Sequence, residues 1–193
     1  MASILQSAVR IGQERARLNV HPLVVAATGA LTAGLLLTFY WQAEAADRAE
    51  VVRGKYLVNL GLCTHCHTPG YFFGKPDDAR FLGGSEVGFE IPGLGVFHGP
   101  NLTPDKDTGL GTWSEADIVR LLRTGVRPDG RELAPIMPWK AFSKLTDADM
   151  LAIAVYLKSL PAVPNKVPGP FGASEAPTSL VMKIVPPPVR PSN

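Results

Sequence analysis

At 193 residues the chain has room for one ordinary domain with extensions, and a formal net charge of +2 excludes the basic footprint of a nucleic-acid binder. Gly 19 and Pro 18 together predict a loop-rich domain with a proline-rich appendage. Cys 2 excludes a disulfide framework.

Residues 1–21 are polar and basic, with Arg10, Arg15 and Arg17 against Glu14 alone. Residues 22–41 then run without a charge and close on Phe39-Tyr40-Trp41. About 20 apolar residues suffice to cross a bilayer. The preceding arginines predict a cytoplasmic N-terminus at the inner membrane, with everything after Gln42 outside the cytoplasm. Two readings stay open. The run is either a retained transmembrane anchor or the apolar region of a signal peptide, because Ala43-Glu44-Ala45 has the small-x-small form of a cleavage site after Ala45. Both deliver the remainder to the periplasmic side, the second as a soluble protein.

Residues 42–49 read as a linker, and residues 50–161 as the folded domain. Within it Glu50 to Leu60 is expected to be helical, with Val52, Tyr56 and Leu60 as an inner stripe widened by Val51 and Leu57. Gly54 in that helix costs about 1 kcal/mol relative to alanine, which predicts a second helix crossing closely there.

Cys63-Thr64-His65-Cys66-His67 follows, a C-x-x-C-H. On one helical turn positions i, i+3 and i+4 share a face, so Cys63 and Cys66 can reach two porphyrin vinyl groups while His67 reaches the iron. A structural zinc site would need a second pair of ligands, and the sequence has none. A disulfide this short would be strained and would close almost no loop. The motif therefore predicts one covalently attached haem c.

His67 to Pro100 is loop-like and aromatic, with Tyr71, Phe72, Phe73, Phe81, Phe89 and Phe97 as porphyrin walls or ordinary core. Alternation around Glu90-Ile91 and Val96-Phe97 predicts a small hairpin. Ser114 with Asp117 starts a helix whose inner stripe is Ile118, Leu121 and Leu122 and whose end is Gly125. Arg120, Arg123 and Arg127 fall near one face, either solvated or facing propionates or a partner. Thr146 caps a last helix, with Met150, Ile153, Ala154, Leu157 and Leu160 inward and Pro161 as its stop. Residues 162–193 form a Pro-rich tail that cannot build its own core; it lies along the domain, reaches a partner or stays free.

The second axial position decides the chemistry of such a haem. Met1 lies outside the domain, Met150 sits on a helix stripe and Met182 in the tail. Met137 fits no helical or strand period and is bracketed by Pro135 and Pro138, which stiffen the loop around a weak ligand. Met137 is thus the expected iron ligand opposite His67, with His98 as rival.

Cys63 to His67, Gly99-Pro100-Asn101-Leu102-Thr103-Pro104-Asp105, Trp113-Ser114, Gly125-Val126-Arg127-Pro128-Asp129-Gly130, Met137-Pro138-Trp139 and Leu145-Thr146-Asp147 occur in an order that resembles the monohaem class I cytochrome c domain. The branch it looks most like is that of cytochrome c subunits of membrane-bound alcohol and aldehyde dehydrogenases. That branch typically has three such domains per chain, and this sequence has one. The resemblance implies an all-α fold in which N- and C-terminal helices cross, with Gly54 and Tyr56 near Tyr156 or Leu157. It also supports His67 and Met137 as axial ligands. The expected function is a membrane-tethered single-electron carrier, not an enzyme, working between a dehydrogenase or quinol-oxidising complex and a terminal acceptor. The alternative is a dedicated subunit of a membrane-bound dehydrogenase, docked through its tail. No small-molecule substrate is expected.

Overall fold

A computed structural model describes residues 47–185. The charge-free run at 22–41, the site after Ala45 and the prolines at 186–188 lie outside them. Among the described residues no helix is long and apolar enough to cross a membrane.

Helix α1 occupies 47–60, so it is already formed within the expected linker. Helix α2 (Cys63–His67) follows after a two-residue turn. Single 3-10 turns at Tyr71–Phe73 and Asp78–Arg80 lead into a hairpin of β1 (Val87–Ile91) and β2 (Gly95–His98). Helices α3 (Glu115–Thr124), α4 (Trp139–Phe142) and α5 (Asp147–Ser159) complete the helical layer. The tail adds β3 (Phe171–Gly172) and β4 (Leu180–Met182).

The core gathers Leu57 and Val58 from α1, Ile118 and Leu122 from α3, and Met150, Ile153, Ala154 and Leu157 from α5. Helix α1 crosses α5 at Gly54, where an added Cβ would stand 1.9 Å from the Ala152 carbonyl oxygen and 2.6 Å from Tyr156 Cβ. The expected crossing is therefore present, but the expected inner stripe is not. Val52, Tyr56 and Leu60 are exposed, and Gly54, Leu57 and Val58 face inward. The backbone contact at Gly54 fixes the rotation of the helix, and it overrides the larger side chains. Arg53 Nε meets Asp149 Oδ1 at 2.9 Å across the same crossing.

Local signals elsewhere hold. Ser114 and Asp117 form a reciprocal capping box on α3, and Gly125 ends it in the left-handed region at φ 72°. Thr146 accepts the Asp149 amide and caps α5.

The all-α expectation is overturned by a four-stranded mixed sheet, ordered β3-β2-β1-β4. β1 and β2 are antiparallel, with Phe89 opposite Phe97. The tail supplies both edges: β3 runs antiparallel to β2 and β4 parallel to β1. Gly95, at φ 123°, admits β3, since a Cβ there would stand 2.0 Å from the Phe171 carbonyl oxygen. Two edge strands this short carry almost no periodic signal, and their pairing depends on partners 75 to 93 residues distant in sequence.

Between α5 and β3 the tail is held by side-chain amides. Asn101, only 1% exposed, donates from Nδ2 to the Val163 carbonyl (2.7 Å) and to Thr108 Oγ1 (3.0 Å). Its Oδ1 accepts from the amide and hydroxyl of Thr103. Val163 N donates to Thr103 Oγ1, Asn165 N to Thr108 Oγ1, and Asn165 Nδ2 to the Gly83 carbonyl. Of the three readings of the tail, the one along the domain is observed through β4.

Candidate haem site

The site is built on α2. Leu62, in the left-handed region at φ 55°, turns the chain out of α1 and starts the short helix. Cys63 and Cys66 follow as unpaired, half-buried thiols, with no disulfide between them. Burial pushes Cys63 up to about 11 and moves Cys66 in the same direction. That is opposite to the depressed value of a reactive dithiol.

His67 is 6% exposed, and its Nδ1 lies 2.7 Å from the carbonyl oxygen of Pro100. A carbonyl can only accept, so Nδ1 carries the proton and Nε2 keeps its lone pair free for a metal. Burial lowers the pKa of His67, partly opposed by the Pro100 contact, which favours the neutral ring that a metal ligand needs.

Glycine makes this contact possible. A Cβ on Gly99 would stand 1.6 Å from the Cys66 carbonyl oxygen and 3.3 Å from His67 Nδ1. Only a bare backbone lets the 99–101 segment close on α2. The approach is further held by Gly84 N donating to the His67 carbonyl and Ser85 N to the Gly99 carbonyl. Thr68, also buried, accepts the Leu82 amide.

Met137 lies half-buried in a tight turn, its amide donating to the Ala134 carbonyl and its carbonyl accepting from Trp139 N. The turn is anchored at its ends. Leu133 N donates to the Gly125 carbonyl, and the Trp139 indole covers Gly125, where a Cβ would stand 2.5 Å from the ring. Of the other methionines, Met150 is fully buried in the core and Met182 lies beside Phe89 in the sheet. His98 is committed to the tail, with Nε2 2.7 Å from Ser179 Oγ.

The three arginines do not act as one surface. Arg120 pairs with Asp117, Arg127 with Asp129 while covering the Trp113 ring, and Arg123 bonds the carbonyls of Ser143 and Leu145 and the carboxylate of Asp147. Lys158 stands in the last turn of α5, as its position in the sequence suggests, but the sequence gives no sign that its Nζ collects the carbonyls of Leu110, Gly111 and Trp113. Sequence reasoning missed His65, which stacks on Tyr71 at 4.1 Å between ring centroids.

Two unpaired thiols and a neutral imidazole with a fixed tautomer, on one turn of helix, fit covalent haem. Among the described residues no group of three or more His, Cys, Asp and Glu side chains makes an alternative metal site. The cytochrome c family profile matches residues 51–161, which is more than half of the chain. The chain belongs to the cytochrome c family. Membership implies covalently bound haem c.

This cytochrome c is 34% identical over 140 residues to the cytochrome c subunit of a quinone-dependent alcohol dehydrogenase from Gluconobacter oxydans (strain 621H), covering 70% of this chain and 27% of that one. It is 33% identical over 133 residues to the fructose dehydrogenase cytochrome subunit of Gluconobacter japonicus, covering 65% of this chain and 26% of the relative. A diheme c-type cytochrome of Cereibacter sphaeroides is 30% identical over 117 residues, 58% of this chain and 36% of its own length. The matched region thus spans between about a quarter and a third of these relatives. Those from Gluconobacter are named as cytochrome subunits of dehydrogenases, in agreement with the expectation of an electron-transfer protein and not an enzyme.

Proposed function

We propose that this cytochrome carries single electrons through one haem c, tethered at the periplasmic face of the inner membrane, from a dehydrogenase or quinol-oxidising complex to a terminal acceptor. The observation that carries the electron-transfer reading is His67, buried directly after the two thiols with its Nδ1 spent on Pro100. Haem c supplies the one-electron couple. Cys63 and Cys66 would retain it by thioether bonds, and His67 Nε2 would bind the iron. Met137 would be the second iron ligand, from a turn whose ends are pinned by Gly125 and Trp139. Two protein ligands would leave no position for peroxide or a gas, an arrangement that suits a carrier. A thioether ligand in a buried site favours a positive potential. The charge-free residues 22–41 behind three arginines support the tether and its orientation.

A second reading, a dedicated subunit of a membrane-bound dehydrogenase, is favoured by the names of the relatives. It does not require the tail as a strap to that enzyme, because residues 163–182 are already bonded to their own domain.

Met137→Ala tests the site. The oxidised variant is expected to lose the sulfur-to-iron charge-transfer band and to bind cyanide, and the reduced variant to bind carbon monoxide. A low-spin spectrum with the band intact would assign the ligand elsewhere. Pigment released by acid-acetone would remove the covalent haem altogether. Affinity purification from native membranes separates the two functional readings: a stoichiometric dehydrogenase supports the fixed subunit, and its absence the mobile carrier.

A further inference from the structure

Helix α1 leaves three large apolar side chains outside: Val52, Tyr56 and Leu60 are 65%, 55% and 64% exposed. Their spacing of four residues sets them one turn apart, as a continuous strip along the outer side of the helix. The inner side is already satisfied, with Gly54 against α5 and Leu57 and Val58 in the core. The strip is therefore not a remnant of core packing.

On α1 itself the strip is bordered by cations. By helical periodicity Lys55 flanks the strip on one side, and Arg53, paired with Asp149 and lying over the Tyr56 ring at 5.5 Å, on the other. Asp47 and Glu50 fall on the opposite side of the helix. An apolar strip bordered by cations is the pattern of a helix that lies in the interface of an anionic membrane.

What selects a lipid surface over a protein is the sequence just before the helix. Residues 22–41 carry no charge and end in Phe39-Tyr40-Trp41, aromatics of the kind enriched at membrane interfaces. Val52 follows Trp41 by eleven residues, which even fully extended reach only about 36–40 Å.

We propose that the Val52–Tyr56–Leu60 face of α1 lies in the headgroup region of an anionic bilayer and holds the haem domain against the membrane in one orientation. The inference rests on the membrane tether proposed above. It turns that tether from a loose leash into a docked attitude, with the face of the domain opposite α1 turned to partners.

The test uses the full-length holoprotein in vesicles of phosphatidylcholine and phosphatidylglycerol. An environment-sensitive fluorophore is attached at Val52→Cys or, as control, at Lys144→Cys in the exposed turn before α5. The expected result is quenching by doxyl-labelled lipid at least threefold stronger at position 52 than at position 144. Equal quenching in protein that floats with the vesicles overturns the docked face and leaves the tether standing. Protein that does not float overturns the tether, and the docked face with it. Shielding of position 52 from iodide without quenching by labelled lipid assigns the strip to a protein contact and overturns the proposal.

Discussion

The α1–α5 crossing and the strap over the hairpin hold the same domain by opposite means. At the crossing two regular helices meet through backbone and apolar surface: Gly54 lies on the Ala152 carbonyl, with Leu57, Val58, Met150 and Leu157 around it. The strap has almost no regular structure, and its contacts are individual hydrogen bonds from Asn101, Thr103, Thr108 and Asn165, finished by two short strands. The crossing is set by shape. The strap is set by satisfied polar groups, each costly to bury alone. Damage to the first should spread through the whole domain, and damage to the second should stay closer to the tail.

Gly54→Ala tests the first half of that contrast. Alanine in a helix interior is intrinsically better than glycine by about 1 kcal/mol. Here the new methyl collides with a backbone carbonyl that cannot rotate away. A net destabilisation of about 2–3 kcal/mol is expected in denaturant unfolding of the holoprotein, as for other overpacked cores. Asn59→Ala, on the exposed side of the same helix, should stay within about 0.5 kcal/mol. A stabilised Gly54→Ala would show that the helices slide apart at no cost, and the crossing would not be the rigid part.

Asn101→Ala comes next in size. It strips partners from Thr103, Thr108 and Val163 together. A loss of about 2 kcal/mol is expected from the groups left unpaired. Amide exchange should rise from Val163 to Asn165 well before it rises in α5. Uniform acceleration everywhere would mean that strap and helices form one cooperative unit.

The smallest effect is a pH dependence confined to the sheet. Burial lowers the pKa of His98. Its Nε2 bonds Ser179 on the tail, and its buried Nδ1 has no partner among the described residues. Among its neighbours are Ser179, Gly88 and the Phe171 ring. His98 therefore binds the proton more readily with the strap released than with it docked. Docking should be strongest above the ordinary histidine range, near pH 6.5, and weaken as pH falls through it toward the depressed value. Exchange at β4, corrected for its intrinsic rate, is expected to quicken between pH 7.5 and pH 5. His98→Gln should abolish the dependence, and an unchanged slope would place the titrating group elsewhere.

The parts of the domain legible in advance were those with local chemical signatures. C-x-x-C-H spacing reads directly as a helical turn, Ser114 and Asp117 as a capping box, and Gly54 as a close approach. Each depends on neighbours within a few residues, or on an absent side chain whose only use is contact. The rotation of α1 was misread because Val52, Tyr56 and Leu60 have the right period for an inner stripe. Periodicity identifies an apolar side but not which body covers it. The Asn101 network gave no signal, since asparagine and threonine in a loop look alike whether solvated or buried.

The sequence by itself determined the helical turn that carries Cys63, Cys66 and His67 and the helix caps, because these are fixed by spacing and by hydrogen bonds within a turn. Tertiary structure alone decided which carbonyl holds His67, which face of α1 stays outside, and that the tail returns to add two strands to the hairpin. Those outcomes join residues tens of positions apart. Their energies exist only after the chain has closed, so no local pattern records them.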